Sequence, residues 1–400
     1  MASVAILRPR LGIGGAERLI TDAAVALSTR GHRVTIYAPD RTDTPQFADL
    51  AAAGIQVDGR GGWIPSALAG RARLPMSIAR ALFAARNVAG CTPHVVICDV
   101  VPHILPLVKR LCGAPVLYYC HFPDMLTTAE GQRESAVYSR YRAPLDSLED
   151  RGIAAADVVA TNSLFTASIV RDTLHSMRAR ETTVIYPGVP VDQELPPPPP
   201  DEGLLEILSV ARFDPRKNLQ LAIEALHALR ARLTPAVFSR VRLVLAGHHD
   251  TGLAENVALV TTLRELTASY GLDRQVVFAF SPSETERHSM LRQARCVMFT
   301  PLAEHFGYVP IEAMAAARPV VAVNHGGPTE TVVHGETGYL CEPTGAAFAE
   351  ALVPLLTDPA LAARIGAAGH ARVRDRFSIA AFGDTLNAAV ERLASTRGVH

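Results

Sequence analysis

Residues 187–203 read PGVPVDQELPPPPPDEG, a run that can continue neither a helix nor a central strand. Proline fixes φ and offers no N–H, so the segment reads as a stiff, extended connection. The same pattern flanks it on both sides: short β-branched runs alternate with Ala/Leu-rich helical stretches, as in a parallel sheet covered by helices on both faces. Upstream, the candidate strands are 3–7, 33–38, 94–98, 115–119, 157–160 and 183–186. Downstream they are 206–212, 241–247, 275–280, 296–300, 319–323 and 338–343. The expected fold is therefore α/β, with two facing doubly wound domains and an interdomain cleft at the carboxyl ends of their strands. The expected boundaries are 1–195 and 196–376, and the helical stretch 377–400 is expected to return to the first domain.

A chain of 400 residues that is 48% hydrophobic has ample material for two cores. Lys plus Arg and Asp plus Glu each total 39, so no global charge favours nucleic acid or another polyanion, and any charge function must be local. Only Lys109 and Lys217 are lysines; every other cation of that count is arginine. The six cysteines form no C-x-x-C pair and sit mostly in apolar runs, which reads as reduced core thiols of a cytosolic protein. A strand beginning near residue 4 leaves no room for a secretory leader. The longest apolar stretch, 95–108, carries Asp99 and two prolines, short of the ~18 uninterrupted residues a spanning helix needs. The expected location is cytoplasmic, peripheral at the membrane face.

Functional residues should follow strands. After the first comes LGIGGAERL (11–19), where Gly12, Gly14 and Gly15 permit a tight turn onto a helix N-terminus that can receive an anion or a sugar. Glu17 occupies the place of a dinucleotide fingerprint's third glycine, although Asp40 after the second strand keeps a nicotinamide oxidoreductase open as an alternative. No Gly-Lys dipeptide exists, which excludes a Walker A loop. ARFDPRKN (211–218) puts Arg212 and Lys217 on one loop before a helix, a suitable clamp for a diphosphate. Gly247 ends the next strand, where a backbone could pass close to the same ligand.

AEHFGYVPIEAM (303–314) sets Glu304 on a post-strand loop and Glu312 in the helix begun around Pro310. Carboxylates accept from hydroxyl pairs, and the loop amides suit phosphate, so a sugar nucleotide fits better than a glycosidase acid and nucleophile. VNHGGPTETV (323–332) supplies another turn onto a helix, with Thr329 and Glu330 as capping-type residues. In the first half, YYCHFPD (118–124) places His121 and Asp124 after a strand, and TNSLFTA (161–167) caps a helix through Asn162 or Ser163. Between Gly59 and Cys98 lie Arg60, Arg71, Arg73, Arg80, Arg86 and Trp63 without one acid. That stretch would rest on an anionic membrane, receive an acceptor's phosphate or form a solvated helix.

Together these residues resemble the retaining glycosyltransferases of family 4, whose GT-B architecture pairs two Rossmann-like domains. Glu304 and Glu312 match the family's E-x7-E motif, and GGAE, RFDPRKN and HGGPTE match its other landmarks in order. YYCHFPD, YRAPLD, NSLFTA and TPLAEHFGYVPIEAM resemble more narrowly the alpha-1,3/alpha-1,6-mannosyltransferases of lipid-linked oligosaccharide assembly. The resemblance implies GDP-mannose or another nucleotide sugar as donor and a glycan or polyprenyl-pyrophosphate-linked acceptor. It implies Arg212 and Lys217 on the diphosphate, Glu312 on the ribose, and Glu304 with the amides near Phe306 and Gly307 on the sugar. Gly14, Gly15 and His121 would lie at the reaction centre, Gly247 beside the donor, and Glu17, Asp124, Arg71 and Arg73 toward the acceptor. The family works without a metal or cofactor, and no Asp-x-Asp occurs here to bind one. A sugar-nucleotide-binding protein without transfer activity is the remaining alternative.

Overall fold

The β-branched runs form two separate, all-parallel sheets. The computed structural model describes residues 1–11, 15–40, 50–67, 73–126 and 136–396. The first sheet contains β1 (Ser3–Leu7), β2 (Arg33–Tyr37), β3 (Gln56–Asp58), β4 (Val95–Cys98), β5 (Val116–Cys120), β6 (Val158–Thr161) and β7 (Thr183–Val184). Its order is β3-β2-β1-β4-β5-β6-β7. The second contains β8 (Leu205–Val210), β9 (Val241–Gly247), β10 (Val276–Phe280), β11 (Cys296–Phe299), β12 (Val320–Val323) and β13 (Gly338–Cys341). Its order is β10-β9-β8-β11-β12-β13. Central strands are covered on both faces and so are apolar throughout: Ile6 lies between Ile36 and Ile97, and Leu208 between Val244 and Val297.

By contact, the chain separates into Met1–Gly188 with the helix Ile379–Thr396, and Val189–Ser378. In the first unit, Ile6, Ile36 and Tyr119 on one sheet face pack with Leu27 of the helix Gly15–Thr29 and with Phe382, Leu386 and Val390 of the last helix. Arg30 fastens that last helix through Asp384 at 2.6 Å and the Ala380 carbonyl at 2.9 Å. The opposite face buries Ala81 and Ala85 of the helix Arg73–Ala89 and Val108 of the helix Leu105–Cys112. The second unit has its own core, with Phe213 and Phe348 among its largest members.

The proline-rich connection belongs to the second unit from Val189 onward, ahead of the expected boundary at 195. Its residues accept donors from that unit: Arg318 reaches the Pro197 carbonyl at 2.6 Å, Arg295 reaches Asp201 at 2.7 Å, and Arg292 reaches Asp192 at 3.0 Å. A polyproline run cannot satisfy its own carbonyls, and guanidinium groups do so instead. Five cysteines are buried and Cys91 is exposed; all are free. Burial pushes the Cys341 thiol up to about 11 and that of Cys296 up to about 12, so both stay protonated at neutral pH. No single helix among the described residues is long and apolar enough to cross a membrane.

The acid-free stretch differs from a uniformly basic face. Arg80 is buried at 3% exposure, donating to the Pro9 carbonyl at 2.7 Å, to the carbonyls of Ile64 and Pro39, and to Asp40 at 2.5 Å. Arg60 forks Asp58, whereas Arg86 is exposed. Arg71 and Gly14 lie outside the described residues, and Arg73 opens its helix.

At the start of the second unit, Asp214 accepts the N–H of Arg216 to cap the short helical turn Pro215–Lys217. The Arg216 guanidinium at 2.6 Å holds the Asp214 carboxyl down at about 2. Gly247 has φ +157°, and a Cβ there would fall 1.8 Å from the Ala211 carbonyl oxygen, so the neighbouring strand's exit already forbids a side chain. Gly247→Ala should destabilise the second unit by about 2 kcal/mol or more and lower its thermal midpoint by several degrees; an unchanged midpoint would contradict the close approach. Asp214's depressed folded pKa means its charge stabilises above the ordinary carboxylate range and stops doing so as pH falls toward 2. Asp214→Ala should therefore cost about 1 kcal/mol near neutrality, with the gap to the parent closing between about pH 4 and 2 in denaturant titrations; a constant gap would exclude the charge as its cause.

Candidate active site

Each sheet reverses its strand order once, between β1 and β4 in the first and between β8 and β11 in the second. Such switch points open a crevice at the carboxyl ends of the strands, because the loops leave toward opposite faces. Arg212, Lys217 and Glu304 lie at the second switch point and Glu17 and His121 at the first, and in both units a cation leaving the first strand meets a carboxylate leaving the fourth.

In the second unit, β8 leads through Arg212, whose side chain is 61% exposed and lies 3.9 Å from Asp214, to Lys217 at the end of the capped turn. The Thr300 hydroxyl, just past β11, donates to the Lys217 carbonyl at 2.8 Å and ties the two strand exits together. Lys217 Nζ then sits 2.7 Å from Glu304 Oε2, both side chains remaining partly open to solvent. Glu304 and Glu312 do not form a carboxylate pair. Glu312 is held by Arg287 at 2.5 Å, and Arg287 also contacts Glu284 at 2.8 Å. Burial works against the Arg287 charge, but the two carboxylates outweigh it and raise its pKa. Each motif glutamate thus faces a cation, unlike a glycosidase general acid in apolar surroundings.

Arg287 was not singled out by sequence. Its available signal was the i,i+3 spacing from Glu284 in a helix whose Ser283–Glu286 capping box fixes its start. Phe306 is an anchor, 2% exposed and packed on Phe377, so any ligand contact at that position falls to the backbone. Gly307, φ +87°, begins the helix Tyr308–Ala315 without a side-chain cap hydrogen bond, and Pro310 occupies its first turn, where no N–H is required. The HGGP turn lies directly on this loop: the Gly327 N–H donates to the Glu304 carbonyl at 2.8 Å, and a Cβ on Gly327 would fall 2.3 Å from Phe306. Thr329 does not cap the short helix that follows; its hydroxyl donates back to the Gly326 carbonyl at 2.7 Å.

In the first unit, Arg8 follows β1 and Asp99 follows β4, and the buried pair is bonded through Nη1 and Oδ2. Arg8 also reaches Glu17 at 3.0 Å, which ties the start of the first helix to the same cation. His121, one residue past β5, brings Nε2 to 3.2 Å from the same Asp99 oxygen, while Asn162 donates to the His121 carbonyl at 3.1 Å. Ser163, not Asn162, caps the helix Leu164–Thr173. Asp124 is bonded to Arg142 at 3.0 Å. Glu149 accepts the N–H groups of Asp124 and Met125, fixing the HFPD loop, and burial raises its carboxyl to about 7.

Gly15 opens the helix that carries Glu17 and is exposed. Asp40 accepts the Leu11 N–H at 2.5 Å and pairs with Arg80, so the acid that kept the nicotinamide reading open serves the loop instead. A cavity of about 1320 Å³ along β1–β3, lined by Thr35, Tyr37, Asp58 and His94 among others, includes none of Arg8, Asp99 or His121. Among the described residues no group of three His, Cys, Asp or Glu could hold a metal ion.

Comparison with known proteins identifies the family. Residues 13–193 match the family described as Glycosyltransferase Family 4, and residues 192–372 match Glycosyl transferases group 1. The alpha-1,3/1,6-mannosyltransferase ALG2 of Mus musculus is 39% identical over 98% of this chain and 96% of its own length. That of Homo sapiens is 38% identical over the same shares. Among solved structures, sucrose-phosphate synthase from Thermosynechococcus elongatus superposes with TM-score 0.72 at 22% identity, covering 99% of this chain and 100% of that one. Anabaena HepE in complex with UDP-glucose does so with TM-score 0.69 at 21% identity, with the same coverage. These two show the GT-B fold, which argues against an oxidoreductase. From the near-full-length identity and the shared fold, the chain belongs to the alpha-1,3/1,6-mannosyltransferases of glycosyltransferase family 4, hexosyltransferases that transfer alpha-mannose in glycan assembly.

Proposed function

We propose that the protein transfers alpha-mannose, with retention, from GDP-mannose to a polyprenyl-pyrophosphate-linked oligosaccharide or a related glycan. The observation that carries the donor half is the Lys217–Glu304 ion pair at the β8/β11 switch point, with Arg212 on the same strand exit. A cation and a carboxylate set side by side present complementary ends to a sugar diphosphate, Lys217 and Arg212 to its phosphate oxygens and Glu304 to its hydroxyls. Glu312, oriented by Arg287, takes the ribose hydroxyls. The first-turn N–H groups at Gly307 and Tyr308 add a positive helix end.

In the reaction the bond from mannose C1 to the diphosphate oxygen breaks, and a bond from C1 to the acceptor oxygen forms on the same face. The acceptor hydroxyl proton passes to the departing diphosphate oxygen, so the enzyme need supply no separate base. What it supplies is stabilisation of the negative charge gathering on the leaving group. Arg212 and Lys217 are the groups placed for that, each of the kind worth about 3 kcal/mol in other active sites. Glu17 and Asp124 attend the acceptor, His121 the reaction centre, and Gly14 and Gly15 the donor. The exposed Arg86, with Arg71 and Arg73 of the same basic stretch, would meet the acceptor's phosphates or an anionic membrane surface.

A panel of GDP- and UDP-sugars, scored for nucleotide release with polyprenyl-pyrophosphate glycans, tests the reading. GDP-mannose should be turned over only when acceptor is present; tight binding with no acceptor-dependent release would leave a sugar-nucleotide-binding protein instead. Lys217→Ala should lower kcat at least about tenfold with the fold intact, and a wild-type rate in that variant would remove Lys217 from the diphosphate site.

A further inference from the structure

The Arg8–Asp99 pair is enclosed by the protein. The Asp99 side chain has no exposed area and that of Arg8 has 4%, yet the pair occupies in the first sheet the position that Lys217–Glu304 occupies in the second. Asp99 is unevenly satisfied. Oδ2 receives both Arg8 Nη1 and His121 Nε2, while Oδ1 is buried without a hydrogen-bond partner among the described residues. Burying a charged pair is on balance no more stabilising than packing apolar groups in the same volume, and an orphaned carboxylate oxygen adds a further desolvation cost. An arrangement costly to folding and centred on one oxygen points to what that oxygen holds. His121 is the member that reaches outward, with 23% of its side chain exposed.

We infer that Arg8 and Asp99 are positioning residues that fix the tautomer and direction of the His121 imidazole for mannosyl transfer. An ionised carboxylate only accepts, so the hydrogen between Asp99 and His121 resides on Nε2. In the neutral ring Nδ1 is then left as an acceptor, suited to a hydroxyl of a sugar substrate and unable to donate to one. Asn162 on the His121 carbonyl and the Tyr119 ring, 5.1 Å from the imidazole, complete the frame. Arg8 also bonds to Glu17 and to the carbonyls of Ala16 and Arg10, which makes it the link between Asp99 and the start of the first helix. Asp99 acts through His121 and Arg8 through Asp99, not by touching substrate.

This inference rests on the proposed sugar transfer only for its kinetic readout. Asp99→Asn preserves shape while allowing an amide to donate toward Nε2, which reverses the ring's hydrogen pattern. It should lower kcat by about 10²-fold or more, as other misplaced catalytic imidazoles do, with the KM for GDP-mannose within about threefold of the parent. In a His121→Ala background the same substitution should change kcat by no more than about twofold. A wild-type kcat in Asp99→Asn, or an undiminished penalty without His121, would overturn the proposal. The second measurement needs no substrate: ¹⁵N-histidine spectra of the wild-type protein, recorded at a pH above which the His121 signals no longer change, with those signals assigned by their absence from folded His121→Gln. They should show Nε2 protonated and Nδ1 bare, and the opposite tautomer would overturn the inference. A wild-type enzyme that releases no nucleotide with any acceptor would instead defeat the proposed function and leave the tautomer result standing.

Discussion

The ion pair of Lys217 with Glu304 is the constraint around which the second unit is arranged. A partly exposed pair of this kind contributes little to stability, on the order of 0–1 kcal/mol, so the structure around it is better understood as serving its position. Thr300 binds one strand exit to the other, Asn218 adopts a left-handed conformation to end the turn, and the glycines of HGGP let a third loop rest on the Glu304 carbonyl. The first unit repeats the arrangement at its own switch point with Arg8 and Asp99, but there the charges are enclosed and their partners His121 and Glu17 reach solvent.

The bias toward arginine acquires a physical reason in the irregular segments. Loops and proline-rich stretches leave backbone carbonyls without strand or helix partners, and a fork of five N–H donors can satisfy several at once. Arg80 gathers carbonyls from three separate segments, Arg318 and Arg240 hold the proline-rich connection and the residues just after it, and Arg372 reaches the carbonyls of Glu330 and Thr331. A lysine ammonium is a point charge and serves such networks less well. The two lysines present each meet a carboxylate, Lys109 with Asp157 and Lys217 with Glu304.

Much of the fold was legible because parallel strands buried on both faces are short apolar runs, and those runs are separated by helix-length intervals. The strand-exit rule then located Arg212, Lys217, Glu304 and His121. What sequence could not supply was pairing at long separation. Lys217 and Glu304 were both singled out for a ligand, but that each would be the other's partner across 87 positions has no local signature. Asp99 looked like an interruption of an apolar run, and Arg8 like one arginine among many; their meeting across 91 positions depends on β1 lying beside β4. Arg287 and Arg80 were missed as structural groups for the same reason. Gly247 was marked for closeness to a ligand, whereas the structure gives it a closer neighbour in the Ala211 carbonyl.

If the strand exits of the second unit converge on one activated sugar, a crystal structure of the protein with GDP-mannose should show it. The diphosphate should lie within hydrogen-bonding distance of Lys217 Nζ and the Arg212 guanidinium, the ribose on Glu312 and the hexose on Glu304. A nucleotide bound away from the β8/β11 switch point, with Lys217 and Glu304 still closed on each other alone, would contradict it.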